Sequence, residues 1–322
     1  MSMDSTKKMI LPTEIKKAIR AIKTNSESGA TTLTKQTIQT IHLLLEKTKT
    51  SDQHILKKQI QQTLLQLINA QPMMASILTY ANTLLSSIDQ QQPSSIVSLQ
   101  EIVQTKSNYF LNTFSEANKK ISKHTLPLLS NQSMVFTYSN SSSVTEALLL
   151  AHNNNIKMNV YCSESRPTGE GKHIAKLLSR KGIKTRFSTD AALFSKLSKA
   201  DIILIGADGI STQGLYHKIG TKALAHLAQI HHIPLFSLSA EEKILPASYK
   251  QAMQPTKNPE EIIKANNKNL QVCNNYFDQT PLSLMTAIIT QNGKKQTKDI
   301  ITHQKNLILH PCLQTKQENH HP

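Results

Sequence analysis

Apolar residues recur every three or four positions through the first third of the chain, then gather beyond residue 133 into short runs of about four. After Pro12, Ile15, Ala18, Ile19 and Ile22 follow at helical spacing, and Pro12 suits a first turn because the N–H it lacks has no intrahelical partner there. Two more amphipathic helices are predicted over 33–47 and 54–69, the second aligning Ile60, Leu64, Leu67 and Ile68. Pro72 opens a fourth helix running towards residue 89. The polar stretch 90–95 reads as a loop, and Ser98-Leu99-Gln100-Glu101 has the form of a capping box that starts a long helix to about residue 122.

From residue 133 the period changes. Met134-Val135-Phe136-Thr137 reads as a strand, and Ser143-Val144-Thr145-Glu146 as a second capping box opening a helix. Strand and helix then alternate: strand 159–162, helix 171–180, strand 184–187, a short helix capped by Asp190, strand 202–205, helix 221–230 and strand 235–238. Ile202-Ile203-Leu204-Ile205 is apolar throughout, as in a strand covered on both faces. Glycine divides the chain in the same way: of nine, only Gly29 precedes residue 169. Helical bundles manage without glycine, whereas strand-to-helix turns use it. The expected fold is α/β: an N-terminal helical bundle over 1–125 and a Rossmann-like, doubly wound parallel sheet over 126–322. In such sheets ligands sit beyond the carboxyl ends of the strands, so chemistry is expected in segments 138–143, 164–171, 208–221 and 239–243.

Composition narrows the class. At 322 residues the chain has room for two domains, and 18% charged residues argue against a disordered or coiled-coil protein. No apolar run approaches the roughly 20 residues of a membrane span, and the opening residues are polar, so no membrane association and a cytoplasmic location are expected. Cys162, Cys273 and Cys312 are scattered, without disulfide or metal-ligand spacing, and neither a metal nor a cofactor is expected. The net charge of +16 favours anionic ligands. It is spread along the chain without runs longer than pairs such as Lys294-Lys295, and aromatic residues are only 4%, which does not fit a dedicated nucleic-acid binder.

The post-strand segments carry a resemblance. Glu164-Ser165-Arg166-Pro167 with Glu170-Gly171, Gly206-Ala207-Asp208 with Gly214, Lys218-Ile219-Gly220-Thr221, and Tyr276-Phe277-Asp278-Gln279-Thr280-Pro281 occur in this order. They resemble elements of the translation initiation factor 2B alpha/beta/delta-subunit family, which includes ribose-1,5-bisphosphate and methylthioribose-1-phosphate isomerases. Gln71-Pro72 stands where the family's bundle usually carries Arg-Pro. The resemblance implies the same two-part fold, a homodimer formed through the C-terminal domain, a phosphorylated sugar or nucleotide as ligand, and a translation factor as partner.

It also implies a site. In the isomerases a cysteine after the first strand works with the aspartate of the G-A-D element to move protons. Here Thr137-Tyr138-Ser139-Asn140-Ser141 occupies that segment, with Ser139 in place of the cysteine, while Asp208 is kept. An unassisted serine hydroxyl is too weak an acid to replace a thiol, and it needs an adjacent base. Arg166 and Lys218 are candidate phosphate binders, and Ser141, Ser142 and Ser143 open a helix whose free N–H groups suit an anion. His217 stands where the family has asparagine, and Glu170 where many isomerases have glutamine. The sequence therefore leads to a non-catalytic, initiation factor 2B subunit-like protein that keeps a ligand pocket. The alternative is an aldose–ketose isomerase using Asp208.

Overall fold

The computed structural model describes residues 11–251, 256–264 and 269–314, so the polar opening residues read above lie outside it. Five helices come first: α1 (Thr13–Thr24), α2 (Ala30–Lys47), α3 (Gln53–Ala70), α4 (Ala75–Gln91) and α5 (Ile96–Thr125). The remainder runs β1 (Met134–Tyr138), α6 (Ser142–Asn153), β2 (Asn159–Ser163), α7 (Gly171–Arg180), β3 (Lys184–Ser188), α8 (Asp190–Ser195), β4 (Ile202–Ile205), β5 (Gly209–Ser211), β6 (Gly214–Lys218), α9 (Thr221–Ile230) and β7 (Leu235–Leu238). It ends with β8 (Phe277–Thr280), β9 (Ala287–Thr290), β10 (Gly293–Lys295), α10 (Thr297–Asn306) and α11 (Pro311–Gln314). Among the described residues no helix is long and apolar enough to cross a membrane.

The main sheet has the order β10-β9-β7-β4-β1-β2-β3, parallel throughout except for the β9–β10 hairpin. The chain steps from β1 outwards to β3, then returns to the other side of β1 with β4. The strand order reverses between β1 and β4, and this is where a doubly wound sheet opens a ligand crevice. Alternation explains the double cover. Val135, Val160, Ile202 and Leu204 face α6, α7 and the bundle, in one continuous apolar cluster with Leu84, Val103 and Ile121. Phe136, Tyr138, Ile203 and Ile205 face the other way, against Leu224 and Ala228 of α9.

Three expectations change. The box that opens α5 is built by Ser95 and Ser98, each side chain bonded to the other's N–H at 3.1 Å, not by Ser98 and Glu101. The earlier start adds Ile96 to the apolar face one turn before Leu99. The cap of α6 is Ser141, whose Oγ accepts the Val144 N–H, rather than Ser143, which is inside the helix. The N-cap of α8 is Thr189, and Asp190 sits in the first turn. The segment 208–221 also holds a hairpin: β5 and β6 join β8 in a small antiparallel sheet. Its strands are short and carry His217, Lys218 and Asp278, so they lack an apolar run that would mark them.

Candidate functional site

A cavity of about 450 Å³ lies at the β1–β4 switch point, closed on one side by the bundle. Its floor is the segment after β1, with Ser139, Asn140, Ser141 and Ser142, and the segment after β4, with Gly206, Ala207 and Asp208. The loop 26–29 and the first turn of α2 roof it. Close approach is built in at Gly206, where a Cβ would stand 2.6 Å from Ser141 Oγ. The bundle is fastened directly to the site: Ala75 N–H at the start of α4 donates to the Asp208 carbonyl at 3.0 Å.

Ser139 follows β1 with φ 69°. Its N–H donates to Ser165 Oγ at 2.9 Å, and its hydroxyl donates to Glu170 Oε1 at 2.8 Å. Glu170 is thus the carboxylate beside the serine, a neighbour that the sequence places 31 residues away. It is also heavily engaged. Lys218 Nζ lies 2.8 Å from the same Oε1, and Thr168 donates its hydroxyl to Oε2. Lys218 is 5% exposed; it also donates to Thr168 Oγ1 and lies over the Tyr276 ring at 5.1 Å. Its charge is spent on Glu170 before any ligand arrives.

Asp208 and His217 form the opposite wall. Both line the cavity at the open end of the β5–β6 hairpin, where the Asp208 N–H donates to the Tyr216 carbonyl at 2.9 Å. Burial pushes the Asp208 carboxyl up to about 6, against the pull of Lys243 and Lys218. His217 is pushed down to about 3, first by burial and then by Lys243 and Lys218, so its ring is neutral. Thr221 spends its proton on the Lys218 carbonyl at 2.6 Å and so accepts from His217 Nδ1 at 3.0 Å. That leaves Nε2 as a bare acceptor on the cavity side.

The raised Asp208 pKa has a sign. The native carboxyl keeps its proton to higher pH than the unfolded chain does, so the stability it contributes is full below about pH 4 and is lost as pH rises through 4 to 6. Asp208→Asn is expected to gain about 1–3 kcal/mol over the parent at pH 7 and little at pH 4. Urea denaturation at the two pH values checks this; an unchanged difference between the proteins would contradict it.

The other predicted residues divide. Ser141 and Ser142 line the cavity, and Ser142 Oγ meets Thr31 Oγ1 of α2 at 3.2 Å. Ser143 is buried and donates to Asn118 Oδ1 of α5 at 2.7 Å, tying sheet to bundle. Arg166 is exposed and outside the cavity lining, its backbone N–H held by Asp190 Oδ2 at 2.8 Å. Gln71 Nε2 donates to the carbonyls of Ile22 and Asn25 at 2.7 and 3.0 Å, fixing the loop after α1. Asp278 accepts from Gly220 N–H and Lys222 N–H and so anchors the start of α9. Cys162 does not substitute for the missing thiol: it is buried inside β2, pushed up to about 12 by that burial. Tyr138 donates to the Ile219 carbonyl at 2.8 Å, and burial raises its pKa, so it is no base for Ser139.

Lys243 escaped the sequence reading. It is 6% exposed, lines the cavity and donates to the Ala207 carbonyl at 2.7 Å, and burial lowers its pKa. Its place at the end of the segment after β7 was the available signal. Glu27 and Glu146 also line the cavity; Glu27 comes from a bundle loop that offered no motif, and Glu146 was read only as part of a capping box.

A sequence profile of the Initiation factor 2 subunit family matches residues 26–297. The chain is 27% identical to ribose 1,5-bisphosphate isomerase of Methanocaldococcus jannaschii over 70% of its own length and 73% of that protein. It is 26% identical to translation initiation factor eIF2B subunit alpha of Caenorhabditis elegans, over 64% and 67%. The crystal structure of Pyrococcus horikoshii translation initiation factor eIF-2B superposes with a TM-score of 0.79 at 26% identity, over 90% of this chain and 100% of that one. Its relatives therefore include both initiation factor subunits and sugar-phosphate isomerases.

Proposed function

We propose that this chain, which belongs to the Initiation factor 2 subunit family, is a non-catalytic, initiation factor 2B subunit-like member of it. In this reading it is a cytoplasmic protein that holds a phosphorylated sugar or nucleotide at the β1–β4 crevice. It pairs with a second copy through the sheet domain and acts through a translation-factor partner. The observation that carries the reading is the Ser139–Glu170 hydrogen bond of 2.8 Å. Aldose–ketose isomerisation needs one group to take a proton from carbon and another to serve the neighbouring oxygen. Ser139 directs its only proton into Glu170, and Glu170 also accepts from Lys218 and Thr168. Asp208 is left without a counterpart at position 139.

Asp208 itself favours a second reading, an isomerase, because a carboxyl near 6 can exchange protons at neutral pH. A phosphorus NMR time course separates the two. With ribose 5-phosphate or ribose 1,5-bisphosphate as probe, no ketose resonances are expected at any protein concentration. Ketose resonances that grow with protein and vanish in Asp208→Asn would overturn the non-catalytic reading.

A further inference from the structure

We infer that the outer edge of the main sheet, β3 with α7 packed beside it, is a docking surface for an acidic, extended segment of a protein partner, which pairs with β3 as an added strand. The crevice and its chemistry do not enter this inference, so it goes beyond the function proposed above and survives either outcome of the phosphorus NMR test. The net charge of +16 is spread along the sequence, but folding gathers part of it here. Residues 171–188, which span α7 and β3, hold Lys172, Lys176, Arg180, Lys181, Lys184 and Arg186 and no Asp or Glu. All six are exposed, and among the described residues none has a carboxylate within ion-pair distance.

These cations flank a free edge from two sides. Ile174, Ala175 and Leu178 bury one side of α7 in the apolar cluster that holds Val160 and Cys162 of β2. Lys172, Lys176 and Arg180, spaced i, i+4 and i+8, therefore form a stripe on the opposite side, with about 6 Å of axial rise between neighbours. β3 is the last strand of its sheet and pairs with β2 alone. Its side chains alternate. Phe187 follows its register partner Cys162 to the α7 face, and Lys184 and Arg186 follow Asn159 and Tyr161 to the other. A strand added outside β3 would run with Lys184 and Arg186 along one face and the α7 stripe beside the other. Phe187, 47% exposed, would be covered by an apolar residue of that strand.

Charge and backbone together choose the occupant. A second copy of this chain, edge to edge, would set six cations against six, which is repulsive. The parts of this chain outside the described residues hold two acidic residues, Asp4 and Glu318, against four lysines, so none of them is an acidic strand. A nucleic acid would use the charge but not the unpaired backbone groups of β3, and Phe187 is the only Phe, Tyr or Trp in 171–188, too few for stacked bases. An acidic peptide uses both the charge and the main-chain hydrogen bonds. Lysine on an edge strand also guards against self-association, and Lys184 and Arg186 suffice for that. The stripe on α7 lies off the strand and is left for a partner of opposite sign.

The test is fluorescence anisotropy of the full chain at low salt, with a labelled peptide of four repeats of two glutamates and a valine, a pattern that puts carboxylates on both faces of a strand. Binding with Kd below about 1 mM is expected. Lys176→Glu, Arg180→Glu and Arg186→Glu together should weaken it at least about tenfold. Reversing three exposed bundle lysines in the same way, Lys16, Lys17 and Lys35, should change it less than about twofold. The substituted side chains are exposed, so both variants keep the fold, verified by circular dichroism. An N-methylated peptide of the same sequence keeps the charge but loses its N–H donors, and should bind at least about tenfold more weakly. No binding below about 1 mM, equal losses in the two variants, or undiminished binding of the methylated peptide would each overturn the inference. So would an oligouridylate of equal length that binds more tightly than the peptide and is lost with the α7–β3 reversal, which would make the surface one for nucleic acid.

Discussion

Glu170→Ala is expected to destabilise the protein by about 3–5 kcal/mol, because it strands a buried ammonium group. Lys218 is 5% exposed, and Glu170 Oε1, 2.8 Å away, is its only carboxylate partner among the described residues. The Thr168 hydroxyl and the Tyr276 ring would remain, but neither carries a compensating charge. Ser139 and Thr168 would lose their acceptor at the same time. Replacing both members, as Glu170→Leu with Lys218→Met, should recover most of the loss, to within about 1–2 kcal/mol of the parent, since the desolvation cost disappears with the charges. Urea denaturation of the single and double variants measures both. A single variant within about 0.5 kcal/mol of the parent would mean that water reaches Lys218 and that the pair does not close the cavity wall.

The same pair shows what the sequence could and could not reveal. Strands β1, β4 and β7 and helices α7 and α9 were legible because their residues face a core on a regular period. The crevice was legible too, since the order of elements fixes where a parallel sheet reverses. Which charges would neutralise each other was not, because Glu170 and Lys218 are 48 positions apart and meet only when β6 folds back under the turn after β2. Glu170, which stands where many isomerases have glutamine, is a charge already paired with Lys218. Arg166, read as a phosphate binder, is exposed outside the cavity lining, its guanidinium reaching the Glu261 carbonyl at 3.5 Å. Ser143, one of three serines at a helix start, serves packing through Asn118. Motifs placed the segments, and only tertiary contacts assigned the side chains within them.

The small sheet β5-β6-β8 was missed for a related reason. Its strands bury His217, Lys218 and Thr280 beside Ile210 and Leu215, so their burial is mixed and leaves no apolar alternation to read. Its consequence for function is direct: the hairpin brings Asp208, just before β5, and His217 of β6 into one cavity lining, and β8 brings Asp278 to the start of α9. The strand that ends in Lys218 and the Y-F-D-x-T-P element, far apart in sequence, are two sides of one strand ladder.

Gly171→Ala is expected to be the most damaging single change, with a loss beyond about 4 kcal/mol or no folded protein recovered. A Cβ there would lie 1.8 Å from the Ser163 carbonyl oxygen and 3.0 Å from its carbon. That oxygen belongs to the backbone at the end of β2, which is bonded into the sheet between β1 and β3, so it cannot move aside as a flexible side chain would. Relief would require α7 to lift from β2, and Glu170, the residue before it, would leave Ser139 and Lys218. The collision therefore acts on fold and site together. Gly293→Ala gives the scale: its φ of 94° strains an alanine, but no atom lies within 4 Å, so only about 1–2 kcal/mol should be lost. Denaturation midpoints of the two variants should differ accordingly. Equal losses would show that the α7–β2 contact relaxes at little cost, and with it the placement of Glu170.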